Sequence, residues 1–159
     1  SFVLAHSRHA ARMLTHDKRN ASDVIATFKQ AGPGAVLVSP SVTTGYDFPY
    51  TDCEYQILMK IPFPDSRDPV IAARSIADTR YALHVSMQSL VQTCGRPMRA
   101  ADDQAETFIC DAHAIWFLSK NGDLAPKWFK RAVRRLEAGQ VPTPPRPLAP
   151  RRSVDATGE

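Results

Sequence analysis

The sequence predicts a three-layer α/β domain with a mainly parallel central sheet, and three observations carry that prediction. Apolar runs of strand length at residues 2–6, 35–39, 55–61 and 106–111 are separated by longer stretches, several with apolar residues at helical spacing, the alternation that builds crossover-connected parallel strands. The run at 35–39 is continuous rather than alternating, as in a strand covered on both faces. The polar and glycine-bearing clusters follow strands or lie on helices leading away from them, and ligands of such sheets gather at the strands' carboxyl ends. With 159 residues the chain has room for one domain around a single core.

In chain order, residues 2–6 read as a strand that ends at Ser7 and Arg8, after which Ala10, Ala11, Met13 and Leu14 recur at helical spacing. Ser22 and Asp23 read as the cap of a second helix with Val24, Ile25 and Phe28 on one face, stopped by the Gly32, Pro33, Gly34 cluster. The strand at 35–39 follows, then the strand at 55–61, which Pro62 and Pro64 end. Asp68 before Pro69 marks a helix start, because proline at the first helical position gives up a donor that has no partner there. From it Val70, Ala73, Ala77, Tyr81, His84 and Val85 keep one apolar-leaning face toward residue 92, in a bent or two-piece helix. Residues 106–111 form the fourth strand, and Asn121, Gly122 and Asp123 a turn. Residues 124–136 predict a basic amphipathic helix with Trp128, Phe129, Ala132, Val133 and Leu136 on its apolar side. The domain is expected over residues 1–137. Residues 138–159, with five prolines between Pro142 and Pro150 and with Arg146, Arg151 and Arg152, read as a disordered tail.

Two clusters carry chemistry. Residues 92–99 read Q-x-x-G-R-x-x-R, which puts Gln92, Arg96 and Arg99 on neighbouring positions of a helical turn around Gly95. A planar guanidinium with five fixed donors suits the oxygens of a phosphate chain better than an ammonium does. Upstream, residues 39–49 read S-P-S-V-T-T-G-Y-D-F-P: an apolar strand breaking into hydroxyls, a glycine and an acid. Thr43 and Thr44 offer short donors to a phosphate, Gly45 lets the backbone turn closely, and Asp47 can anchor a water, a metal shell or an arginine.

Together these stretches resemble motifs V and VI of superfamily-two DNA helicases, and the wording of residues 39–49, with I-P-F-P-x-x-x-D-P at 61–69, is most similar to the DinG/XPD branch. A-H-S-R at residues 5–8 loosely resembles motif IV. The resemblance implies the second RecA-like (P-loop NTPase-like) motor domain of such an enzyme. It implies that Arg96, Arg99 and Gln92 act on ATP, with Gly45, Asp47 and Gly95 completing the nucleotide side. It implies that Ser7, Ser39, Ser41, Thr43 and Thr44 hold the backbone of single-stranded or forked DNA, with RNA an open alternative. ATP and Mg²⁺ are the implied cofactors, the metal being held by a first RecA-like domain that is also the implied partner. No G-x-x-x-x-G-K-[ST] occurs in the sequence, so the phosphate cradle is expected on that other domain. Asp111, Ala112 and His113 look like a D-E-A-H box, but alanine replaces the glutamate that would orient water, so no catalytic role is expected there.

The formal charge of +4 is unevenly placed. Residues 1–125 carry 12 basic against 13 acidic side chains, a net of −1, while residues 126–152 carry 8 basic against Glu137, a net of +7. Cys53, Cys94 and Cys110 form no C-x-x-C and are expected to be reduced thiols rather than a disulfide framework or zinc site. His6 and His9 have no third ligand at a familiar spacing, so no metal site is predicted. No stretch approaches the roughly 20 apolar residues of a membrane span, and a soluble, cytoplasmic or nuclear protein is expected. The chain opens within an apolar run on Ser1 rather than methionine, which reads as a piece of a longer protein. Two other classes stay open: a non-enzymatic nucleic-acid-binding or regulatory module of the same fold, and an α/β enzyme whose arginines bind a small phosphorylated substrate.

Overall fold

A computed structural model describes residues 6–39, 45–98, 103–137 and 139–140. Among them, four short strands alternate with helices: β1 (Met13–Thr15), α1 (Ala21–Gln30), β2 (Val36–Val38), β3 (Tyr55–Leu58), α2 (Pro69–Ala77), α3 (Tyr81–Cys94), β4 (Glu106–Ile109), α4 (Ala114–Asn121) and α5 (Lys127–Ala132). All pairing is parallel, so the α/β class with crossover connections stands. β1 lies beside β2 with Leu14 opposite Leu37, and β3 beside β4 with Ile57 opposite Phe108. The described residues thus form two separate two-stranded ladders, where one central sheet was expected.

The first segment departs from its sequence pattern. Residues 2–5 of the expected opening strand lie outside the described residues, His6 is helical, and Ala10–Arg12 is a 3-10 turn. Met13 and Leu14, expected on a helix, are in β1 instead. A five-residue apolar spacing fits either structure, and pairing with Val36 and Leu37 decides it for a strand.

The chain then turns through a reciprocal pair. The Asp17 carboxylate accepts the Arg19 and Asn20 amides at 2.7 and 3.1 Å, and the Asn20 side chain accepts the Asp17 amide at 2.8 Å. Helix α1 therefore starts after Asn20, and Ser22 and Asp23 lie in its first turn rather than at its cap. Gly32 and Gly34, at φ of +72° and +91°, end the excursion in the left-handed region that glycine enters without strain. Val36 is 41 % exposed, so β2 is not covered at its start.

The main core gathers beside the second ladder: Leu58, Ile61, Met87, Leu90, Ala114, Phe117, Ala125 and Phe129. Phe117 is fully buried and meets the Phe63 ring edge-on at 5.4 Å. Helix α2 is capped as the sequence predicts, the Asp68 carboxylate accepting the Val70 and Ile71 amides at 2.8 and 3.2 Å. A break at residues 78–80 makes the predicted helix two pieces. Its inward face differs from the predicted one. Val70 is 57 % exposed, Ala73, Ala77 and His84 are exposed, and α3 buries Ser86, Met87, Leu90 and Thr93. The two buried hydroxyls bond back to Ala82 and Ser89 carbonyls four residues earlier, which makes them tolerable inside a helix.

The last helix is also shorter than its pattern. α5 spans Lys127–Ala132 and Val133 is already extended. Of the expected apolar side, Phe129 is buried, while Trp128, Val133 and Leu136 are 52, 38 and 47 % exposed. Helix α4, in a stretch with no sequence pattern noted above, supplies Ala114 and Phe117 to the core. Residues 141–159 of the expected tail lie outside the described residues. Among the described residues no helix is long and apolar enough to cross a membrane.

Candidate nucleotide and nucleic-acid site

The octet begins on the last turn of α3. Gln92 is exposed there, and the helix closes through the Gly95 amide on the Val91 carbonyl at 3.0 Å and the Arg96 amide on the Thr93 carbonyl at 3.2 Å. Pro97 beyond is fully buried and fixes the exit. Gly95 keeps an ordinary helical φ of −83°, and a side chain there would lie 3.4 Å from the Val91 carbonyl oxygen, in normal contact. Among the described residues, nothing requires glycine at this position. Cys94, just before it, is half-buried, and burial pushes its thiol up to about 11, which keeps it neutral and inert.

The second cluster arrives at the same place. Gly45 has φ of +90°, a left-handed backbone angle that glycine adopts without strain. One residue on, the Arg96 guanidinium donates through Nη1 to the Tyr46 carbonyl at 3.1 Å. Two segments fifty residues apart are thereby joined at the residue between Gly45 and the exposed Asp47 in the chain. Lys29, in the last turn of α1, donates to the Asp47 carbonyl at 2.6 Å.

Ser39 is exposed just past β2, and its hydroxyl lies 3.0 Å from Nε2 of His16, which follows β1. His16 is 8 % exposed, and its Nδ1 is 3.1 Å from the Asp17 carbonyl. A carbonyl only accepts, so Nδ1 carries a proton, and in the neutral ring Nε2 takes the Ser39 proton. The parallel pairing of β1 with β2 brings these two strand ends together. Ser7 is half-buried, and the contact seen for it is local, its hydroxyl oxygen accepting the His9 amide at 3.1 Å. It follows a helical residue, not the strand end expected for it. Ser41, Thr43, Thr44 and Arg99 lie outside the described residues.

The D-A-H stretch after β4 is structural. One Asp111 oxygen accepts the Ile61 amide at 2.9 Å, and the other accepts the His113 amide at 2.9 Å and lies 3.3 Å from the His113 ring. Among the described residues no three His, Cys, Asp or Glu side chains group to hold a metal. The donor set at the octet is a cation and an amide, which fits a phosphate chain and does not fit Mg²⁺.

Sequence reasoning missed three residues here. His16, Lys29 and Asp103 meet this region across 23, 18 and 53 positions, and their only sequence signal is a charged or titratable side chain near a strand or helix end. No curated protein matches the chain. The family model described as a helicase C-terminal domain matches residues 3–132, which include both clusters and every strand and helix described above. The chain belongs to the helicase C-terminal domain family and is a C-terminal RecA-like helicase domain.

Proposed function

We propose that this domain is the C-terminal half of a DinG/XPD-like, ATP-dependent DNA helicase motor, supplying arginine fingers to ATP on a first RecA-like domain and gripping the single-strand backbone. The observation that carries the reading is the Arg96 to Tyr46 hydrogen bond at 3.1 Å, which ties the octet to the residue that follows Gly45. Arg96 and Arg99 would stabilise charge developing on the transferred phosphoryl group, a role worth roughly 10³ to 10⁵ in rate. Gln92, exposed one turn earlier, would sense that group. Gly95, where nothing among the described residues requires glycine, leaves room for it. Ser39, Ser41, Thr43 and Thr44, with Ser7, would hold DNA phosphates, contacts that grip without reading sequence. Gly45 and Asp47 connect the two sides. Mg²⁺ would be held by the first domain, and the protein would work wherever DNA is kept, in the cytoplasm of a bacterium or in a nucleus.

Hydrolysis measured with saturating single-stranded DNA tests this. The chain by itself should release no phosphate above background, because it carries only the finger side. In the complete protein Arg96→Ala should lower DNA-stimulated turnover by about a hundredfold or more. Arg96→Lys should recover little, since an ammonium cannot reproduce the planar fork. Turnover of wild-type size in Arg96→Ala would sink the finger assignment.

A further inference from the structure

We propose that Lys29 and Asp103 are positioning residues that hold residues 47–52 rigid, so that movement of Arg96 is passed to Gly45 and Tyr46 and is not dissipated along the segment. The inference rests on the helicase reading above for what is transmitted, and on the contacts alone for what is held. The segment has irregular backbone: Gly45 at φ +90°, Tyr50 at φ +52°, and a 3-10 turn at Tyr50–Asp52. A tyrosine in the left-handed region persists only where its surroundings over-determine it.

Those surroundings are side chains from separate parts of the chain. Asp103, only 4 % exposed, accepts the Tyr50 amide with both carboxylate oxygens at 3.2 Å. Burying a carboxylate is costly unless it is hydrogen-bonded, and here the bonds fall on the strained residue. From the other side, Lys29 donates to the Asp47 carbonyl at 2.6 Å, lies 3.6 Å from the Asp52 carboxylate, and stands 5.4 Å from the centre of the Phe48 ring. Phe28, its neighbour on α1, meets the same ring edge-on at 6.0 Å. Arg96 holds the Tyr46 carbonyl. Residues 46, 47, 48, 50 and 52 are therefore each gripped by a side chain outside the segment. If Arg96 turns toward a phosphate it releases Tyr46, while Lys29 and Asp103 keep their hold on residues 47–52. Asp47 becomes a fulcrum, and the motion is confined to Gly45 and Tyr46.

The test uses the complete protein, ATP and a single-stranded oligonucleotide, with hydrogen exchange of residues 47–52 followed in parallel. Lys29→Met keeps the apolar stem and removes the donors. It should speed exchange across the segment and lower DNA-stimulated kcat by about tenfold, with KM for ATP changed by less than about twofold. Lys29→Arg should restore both readouts. Asp103→Asn, which leaves one acceptor, should speed exchange at Tyr50 with a smaller kinetic loss. Unchanged exchange in Lys29→Met, or faster exchange with full DNA stimulation, overturns the proposal. If wild-type hydrolysis ignores DNA, the helicase reading fails, and the exchange arm still decides whether Lys29 and Asp103 hold the segment.

Discussion

Asp111 shows how one side chain can look catalytic in the sequence and be structural in the fold. Its carboxylate fastens the Ile61 amide, where the chain leaves β3, to the His113 amide, where α4 begins. The Ile61 amide first, and then the His113 amide, hold its carboxyl below the usual carboxylate range. A carboxylate whose folded pKa is depressed contributes stability that is present above its unfolded value, about 3.9, and is lost as pH falls through the folded value. Asp111→Ala should therefore lower the melting temperature at pH 7, and the gap from wild type should narrow below about pH 4 as the native carboxylate is protonated. Asp111→Asn, which keeps one acceptor, should fall between the two. Thermal melts across that range check this, and a gap that does not depend on pH would show that the ionised form is not what the amides select.

At the scale of elements, α2 separates local from global stability. Asp68 accepts two orphan amides at its start, yet no residue of α2 is buried, and Ile76 is 85 % exposed. Asp68→Ala should cost about 1 kcal/mol, and it should appear as faster amide exchange within residues 69–77 with little change in the global melting transition. A fall of many degrees would mean that α2 supports the core after all. The same contrast explains what the sequence made legible. Asp68 with Pro69 and the strands around Val38, Leu58 and Ile109 follow from local rules of capping and apolar runs, whereas a two-piece helix was legible without the position of its break. β1 did not, because Met13 and Leu14 fit a helix until a parallel partner is known. α5 was read too long, because the spacing of Trp128, Val133 and Leu136 is helical although most of that face is uncovered. At the site, the wording of residues 39–49 and 92–99 brought Arg96 and the Gly45 turn to attention. The side chains that hold them, His16, Lys29 and Asp103, are defined only by contacts across 18 to 53 residues, which no local pattern encodes.

For the whole molecule, the basic charge and the hydroxyl-rich stretch are separated along the chain, and salt can tell their proposed roles apart. Basic residues gather in 126–152. Lys127, Lys130, Arg131 and Arg134 are exposed, while Arg135 pairs with Glu137 at 3.3 Å. If these residues meet single-stranded DNA, they act by releasing condensed counterions, and affinity falls by about 0.7 logarithmic units per phosphate neutralised for each tenfold rise in salt. Ser41, Thr43 and Thr44 would instead act through neutral hydrogen bonds, which displace no counterion. Removing residues 139–159 takes away Arg146, Arg151 and Arg152, so it should weaken binding at low salt and flatten the slope by up to about 2 units. The loss should be smaller if Asp155 and Glu159, removed with them, already offset part of that charge. Thr43→Val with Thr44→Val should leave the slope nearly unchanged and, in the complete protein, uncouple DNA from hydrolysis. Fluorescence anisotropy of a labelled oligonucleotide at several salt concentrations measures both. An unchanged slope on truncation would make the tail a passive extension and place the electrostatic contact on Lys127, Lys130, Arg131 and Arg134, whose replacement by glutamine should then flatten it.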